Sequence, residues 1–235
     1  MITIEKLHKK FGSLEVLKGI DLQIKSGGVF AILGPNGSGK TTLIKSMLGM
    51  VIPNSGDIWI QGENIKKQWR YRHQVSYLPQ IAHFPKNLKV AELLKMIKNL
   101  KNKPCDETSL VATFNLAPFL NKNLGDLSGG TKQKVNAVLT FMVDNPIIIM
   151  DEPTSGLDPV SVLELKKIIL AERAKGKTII ISSHILSFIE EISDEIVFLL
   201  DGNIYFKGSV SKLKENTNKS NFEEAIASIL TTSYA

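Results

Sequence analysis

The chain has 235 residues, 43% of them hydrophobic and 22% charged, with a net charge of +6. That length accommodates one large or two small domains with a buried core. A single cysteine, Cys105, excludes an internal disulfide and favours a reducing compartment. No apolar run approaches the ~20 residues that span a bilayer.

The N-terminus, MITIEKLHKKFG, lacks an apolar signal core. A cytoplasmic protein is expected, and any membrane crossing would fall to another chain. The positive charge is concentrated. Residues 61–104 carry ten basic side chains against Glu63 and Glu92, a local excess of +8. Such a stretch suits an anionic lipid or nucleic-acid surface, or simply a solvated helix face.

In chain order, Thr3–Leu7, Leu17–Ile24 and Val29–Leu33 read as strands from β-branched and apolar content. A glycine-rich turn leads to a helix over Lys40–Met50. Asp57–Ile60 and Val75–Leu78 read as short strands. Val90, Leu93, Leu94 and Ile97 fall at helical spacing, and that period persists from Lys89 to Val143. Strands at Ile147–Met150, Thr178–Ser182 and Ile196–Leu200 then alternate with helices at Val160–Lys175 and Ile185–Ile192. A polar helix from Ser209, a loop over Glu215–Ser220 and a last helix from Asn221 close the chain. Pro79 and Pro146 bound the helical stretch, which reads as an insertion into an α/β sheet.

Three motifs carry chemistry. The first is Gly34-Pro35-Asn36-Gly37-Ser38-Gly39-Lys40-Thr41-Thr42, after an apolar strand and at the start of a helix. Glycines let several amide hydrogens converge on one anion, and the helix dipole adds to them. Lys40 offers a point charge to the β- and γ-phosphates, and the Thr41 hydroxyl a ligand for Mg²⁺. ATP with Mg²⁺ is therefore the expected ligand.

The second motif is Ile147-Ile148-Ile149-Met150-Asp151-Glu152, a wholly apolar strand ending in two carboxylates. Parallel strands buried on both faces look like this, and their carboxyl ends face ligands. Asp151 is expected to hold the metal. Glu152, pointing the other way along the pleat, is expected to be free to orient an attacking water. The third motif, Leu127-Ser128-Gly129-Gly130, opens a helix beginning near Lys132. It can be a plain N-cap or a second anion cradle. Two cradles in one chain suggest two copies arranged head to tail, Ser128 of one meeting the γ-phosphate held by Lys40 of the other.

The order of these motifs resembles the ATP-binding subunit of ATP-binding cassette (ABC) transporters over about residues 1–210. The resemblance implies a P-loop NTPase fold: a RecA-like core sheet, an N-terminal antiparallel β subdomain and an inserted helical subdomain over about 85–145. It places the ATP-binding domain at 1–215 and a helical tail at 216–235. It further implies that Phe11 stacks on adenine, that Gln80 contacts the metal and senses a membrane partner, and that Asp158, in Ser155-Gly156-Leu157-Asp158, lies in a loop crossing the dimer interface. His184 is implied to contact the γ-phosphate. The implied partners are a second copy and separate transmembrane permease subunits, with the chain peripheral on the cytoplasmic face and no direct nucleic-acid partner.

Two positions depart from the common pattern: Thr131 stands where the family usually has Gln, and Phe11 where it usually has Tyr. The LSGGTKQK signature and Ser182–Glu191 resemble exporter-type ATPases, whose membrane subunits are separate chains; the chain is also similar to the ATPase subunit associated with maturation of nitrous oxide reductase. A GTPase is the first competing class, but Asn121-Lys122-Asn123-Leu124 lacks the guanine-reading Asp. A soluble ABC ATPase acting on nucleic acid or ribosomes is the second. Such relatives usually carry a coiled-coil insertion or two cassettes, and neither is present.

Overall fold

The computed structural model describes residues 1–101 and 105–233; Lys103 of the basic stretch lies outside them. Among the described residues, ten strands and eight α-helices follow one another as β1 Ile2–Phe11, β2 Leu14–Ile24, β3 Gly28–Leu33, α1 Lys40–Met47, β4 Ser55–Ile60, β5 Glu63–Asn64, β6 Val75–Leu78, α2 Val90–Lys101, α3 Glu107–Thr113, α4 Gly129–Phe141, β7 Ile147–Asp151, α5 Pro159–Ala174, β8 Thr178–Ser182, α6 Leu186–Ile192, β9 Glu195–Leu200, β10 Asn203–Gly208, α7 Val210–Thr217 and α8 Phe222–Ser233.

The strands form two sheets. An antiparallel sheet runs β2-β1-β4-β5, and a larger sheet runs β10-β9-β3-β8-β7-β6. In the larger sheet only the β9–β10 pair is antiparallel. Alternation along its strands divides the molecule into two cores. Val29, Ala31, Ile148, Met150, Ile196 and Phe198 face the helical side, packing with α2 to α6 and α8. Phe30, Ile32, Ile147, Ile149, Val197 and Leu199 face α1 and the antiparallel sheet. Helices α2, α3 and α4 lie between β6 and β7, where the helical period predicts them.

Boundaries differ from expectation where a local conformation overrides pattern. Helix α1 stops at Met47 rather than Met50, because Gly49 turns left-handed at φ 63°. Strand β1 continues to Phe11 through a bulge at Lys6, φ 45°, whose amide donates to Asp21. Helix α7 runs to Thr217, into the expected loop, and ends on left-handed Asn218. Strands β5 and β10 have no counterpart in the sequence reading. Strand β10 follows Asp201-Gly202, with φ of 47° and 78°, the conformation of a two-residue hairpin turn.

Candidate functional site

The glycines of the 34–39 loop are there for steric reasons. A Cβ on Gly34 would lie 2.0 Å from the Leu199 carbonyl oxygen, and one on Gly39 would lie 2.9 Å from that of Val16. Gly34, Gly37 and Gly39 all hold positive φ. The β9–β10 turn braces the loop from behind, Gly202 donating its amide to the Ser38 carbonyl at 3.3 Å. Lys40 folds over the loop, its Nζ donating to the Gly34 and Pro35 carbonyls at 2.8 and 2.9 Å. Burial lowers the Lys40 pKa, against the opposing charges of Glu152 and Asp151. The Ser38 hydroxyl is buried with no hydrogen-bond partner.

Asp151 ends β7 directly opposite Ser182 of β8. Its Oδ1 accepts from the Ser182 hydroxyl and, at 3.4 Å, from the Thr41 hydroxyl. Burial, and then the Asp151 charge, pushes the Tyr77 phenol up to about 12. Glu152 does not continue the pleat as expected. It turns left-handed at φ 50°, a conformation costing about 1–3 kcal/mol outside glycine. Its amide donates to the carbonyl and hydroxyl oxygens of Ser182, each at 3.1 Å. Nor is its carboxylate free. Oε2 faces His184 Nδ1 at 2.7 Å and accepts from the His184 amide at 3.3 Å. As a carboxylate Glu152 only accepts, so Nδ1 carries the hydrogen. His184 lies two residues beyond the end of β8.

Ser128 is the N-cap of α4. Its hydroxyl accepts from the Thr131 amide at 3.2 Å and lies 2.9 Å from the Thr131 hydroxyl. Gly130 is required by packing, since a Cβ there would lie 2.5 Å from the Gly156 carbonyl oxygen; Gly129 has open space. Asp158 caps α5 through the Ser161 amide and hydroxyl and pairs with Lys134 of α4 at 2.7 Å. Lys134, then Ser161, holds the Asp158 carboxyl well below the usual range.

Gln80 is exposed, two residues past the end of β6 and at the same end of the sheet as Asp151. Phe11 is half exposed beside β2, not a core aromatic, and Lys9 Nζ lies 4.7 Å from its ring centroid. Thus Lys40, Thr41, Asp151, Glu152 and His184 converge. Ser128, Gly130 and Asp158 gather around the start of α4.

Comparison with known proteins places this geometry. Residues 17–155 match the family model of the ABC transporter. The chain is 33% identical to the lantibiotic transport ATP-binding protein SrtF of Streptococcus pyogenes, over 95% of both chains. The chain belongs to the ABC transporter ATP-binding subunits. This ATPase subunit also resembles a solved ATP-binding subunit of an ABC transporter, with a TM-score of 0.91 and 28% identity, covering 98% and 99% of the two chains. A dimeric post-hydrolysis cassette bound to ADP and Pi shares the fold, with a TM-score of 0.80 and 22% identity, over 89% of this chain and 98% of that one. The P-loop NTPase fold and ATP-driven transport as the subunit's work are therefore findings.

Sequence reading missed several positioning residues. Ser182 orients both carboxylate residues, and its signal was a lone hydroxyl ending an isoleucine strand opposite the acidic one. Gln133 and Asn136 are buried polar residues on α4, and beside Lys132 and Lys134 nothing in the sequence sets them apart from a solvated helix face. Gly202 was hidden in a turn.

Proposed function

We propose that two copies of this ATPase close head to tail around two MgATP molecules, each site pairing one copy's phosphate loop with the other's Ser128 turn. The observation that carries the phosphate half of this reading is the buried, partnerless Ser38 hydroxyl in the same loop that Lys40 closes over. A buried polar atom without a partner costs about 1–3 kcal/mol, which an incoming phosphate oxygen offsets. Lys40 would exchange the Gly34 and Pro35 carbonyls for phosphate oxygens. Gly34–Thr42 would line the triphosphate and Phe11 would stack on the base.

The donor set also fits Mg²⁺. Thr41 and Asp151 already approach to 3.4 Å, and both offer the oxygen ligands that this cation prefers. Gln80 would complete the set from the β6 end. When bound, the ion neutralises phosphate charge. Glu152 then orients the attacking water and takes its proton, while His184 holds the carboxylate and reaches toward the γ-phosphate. Asp158, held by Lys134, sets the loop at the dimer interface. Loss of the shared γ-phosphate opens the dimer.

No helix among the described residues is long and apolar enough to cross a membrane. Separate permease subunits would therefore hold this subunit on the cytoplasmic face. The chain divides functionally into an ATP-binding domain over 1–215, with its helical insertion at about 85–145, and a tail over 216–235. The signature and the Ser182–Glu191 stretch support an exporter-type transporter, and the lantibiotic-transport relative supports a peptide cargo. A second reading is the ATPase of nitrous oxide reductase maturation, to which the chain is also similar. No group of three or more His, Cys, Asp or Glu side chains among the described residues is placed to hold a metal ion, and in this second reading copper would be handled by partners. Co-purification of the permease, with stimulation of hydrolysis by candidate cargo, separates the two.

The catalytic assignment is tested with Glu152→Gln. The variant is expected to bind ATP, accumulate as a dimer on size exclusion, and lose turnover by more than about 100-fold. Full hydrolysis by Glu152→Gln contradicts the assignment.

A further inference from the structure

Helix α4 buries two amide side chains, Gln133 and Asn136, each 4% exposed. Gln133 Nε2 donates to the Pro153 carbonyl at 3.1 Å. Asn136 Nδ2 donates to the Pro79 carbonyl at 3.0 Å. The two amides meet at 3.4 Å, Asn136 Nδ2 to Gln133 Oε1. Proline has no N–H, so each backbone contact is to a carbonyl. Both side chains must therefore turn their NH₂ groups toward the prolines, which fixes their orientation. A continuous chain of hydrogen bonds runs from the residue before Gln80 to the residue after Glu152.

We infer that Gln133 and Asn136 are positioning residues that couple the Gln80 loop to the backbone of Glu152; this rests on the roles proposed above for Gln80 and Glu152. Glu152 is held left-handed by its surroundings, and such a conformation persists only when several contacts determine it. Ser182 fixes its amide, the Ser155 amide donates to its carbonyl at 3.1 Å, and Gln133 holds the next residue. Movement of the Gln80 loop pulls on Asn136. The cost of leaving a buried amide unpaired passes that movement to Gln133 and the Glu152 turn. The rival route is the β6–β7 ladder itself. Thr140 donates its hydroxyl to the Asn136 backbone carbonyl at 2.8 Å and lies 3.4 Å from the Tyr77 carbonyl; it touches neither relay amide side chain and serves as the control.

The test is steady-state ATP hydrolysis by the full chain carrying Gln133→Met, Asn136→Leu, Gln80→Ala, each pairing with Gln80→Ala, or Thr140→Val, with Glu152→Gln alongside. Each relay variant is expected to lower kcat about fivefold, the effect of one lost hydrogen bond, with KM moving less than about twofold. Gln80→Ala is expected to lower kcat alone but to add little in the Asn136→Leu background, while Thr140→Val stays within about twofold of the parent. If a relay variant fails to melt cooperatively, Gln133→Glu and Asn136→Ser replace it, since the first keeps volume without a donor and the second shortens the reach.

Effects that multiply independently overturn the relay, as does a Thr140→Val loss equal to that of the relay variants. Either result beside an inactive Glu152→Gln sinks the relay alone. An active Glu152→Gln, or a Gln80→Ala that hydrolyses normally, sinks the reading beneath it as well.

Discussion

His184 Nδ1 stands 2.7 Å from Glu152 Oε2, and the His184 amide points at the same oxygen from 3.3 Å. One residue thus clamps the carboxylate with both its ring and its backbone. The imidazole is 68% exposed while the carboxylate is 9% exposed. The ring therefore adds little to the core and much to the aim of Glu152.

His184→Ala should accordingly separate catalysis from stability. Turnover is expected to fall about 100-fold, the lower range for loss of a positioned acid–base group. The melting temperature should stay within about 2 °C of the parent, as for a surface change. Steady-state kinetics and a thermal melt on the same sample check both.

The two glycines of the signature differ in kind. At Gly130 a Cβ would lie 2.5 Å from the Gly156 carbonyl oxygen, a backbone atom that cannot swing aside, whereas Gly129 faces open space. Gly130→Ala is expected to destabilise the fold by about 1–3 kcal/mol through overpacking. Gly129→Ala, inside a helix, should be neutral or stabilising by up to about 1 kcal/mol. Urea unfolding of the two variants reads the difference.

The Asp158–Lys134 pair sets a pH dependence. Lys134 lowers the folded Asp158 pKa, so the contribution is fully present above the unfolded value of about 3.9. It is lost as pH falls from there through the lowered folded value. Asp158→Asn should therefore melt earlier than the parent at pH 6–8, and the gap should narrow only below about pH 4. Thermal melts across that range check it. A gap that closes near neutrality contradicts the assignment.

Sequence made the phosphate loop, the acidic pair and the signature turn legible because each needs particular residue types at fixed spacing. The alternating strands of the larger sheet were equally plain, since burial on both faces leaves unbroken apolar runs such as Ile147–Met150. Three features were not. The left-handed turn at Glu152 defeats a pleat argument, because side-chain direction there follows φ rather than strand period. The β9–β10 hairpin signalled itself only through Asp201-Gly202, before a strand of mixed polarity. Ser182, Gln133 and Asn136 act through partners distant in sequence, and single residues of that kind carry no local pattern.

The central claim is that one copy grips the triphosphate and the other closes it with Ser128. The most direct measurement mixes two inactive proteins, Lys40→Ala and Ser128→Glu, in equal amounts and assays ATP hydrolysis. A mixed dimer contains one site with an intact Lys40 and an intact Ser128, so activity should return to about a quarter of the parent's, half the dimers each carrying one of two sites. A mixture as inactive as its two components would contradict the shared site.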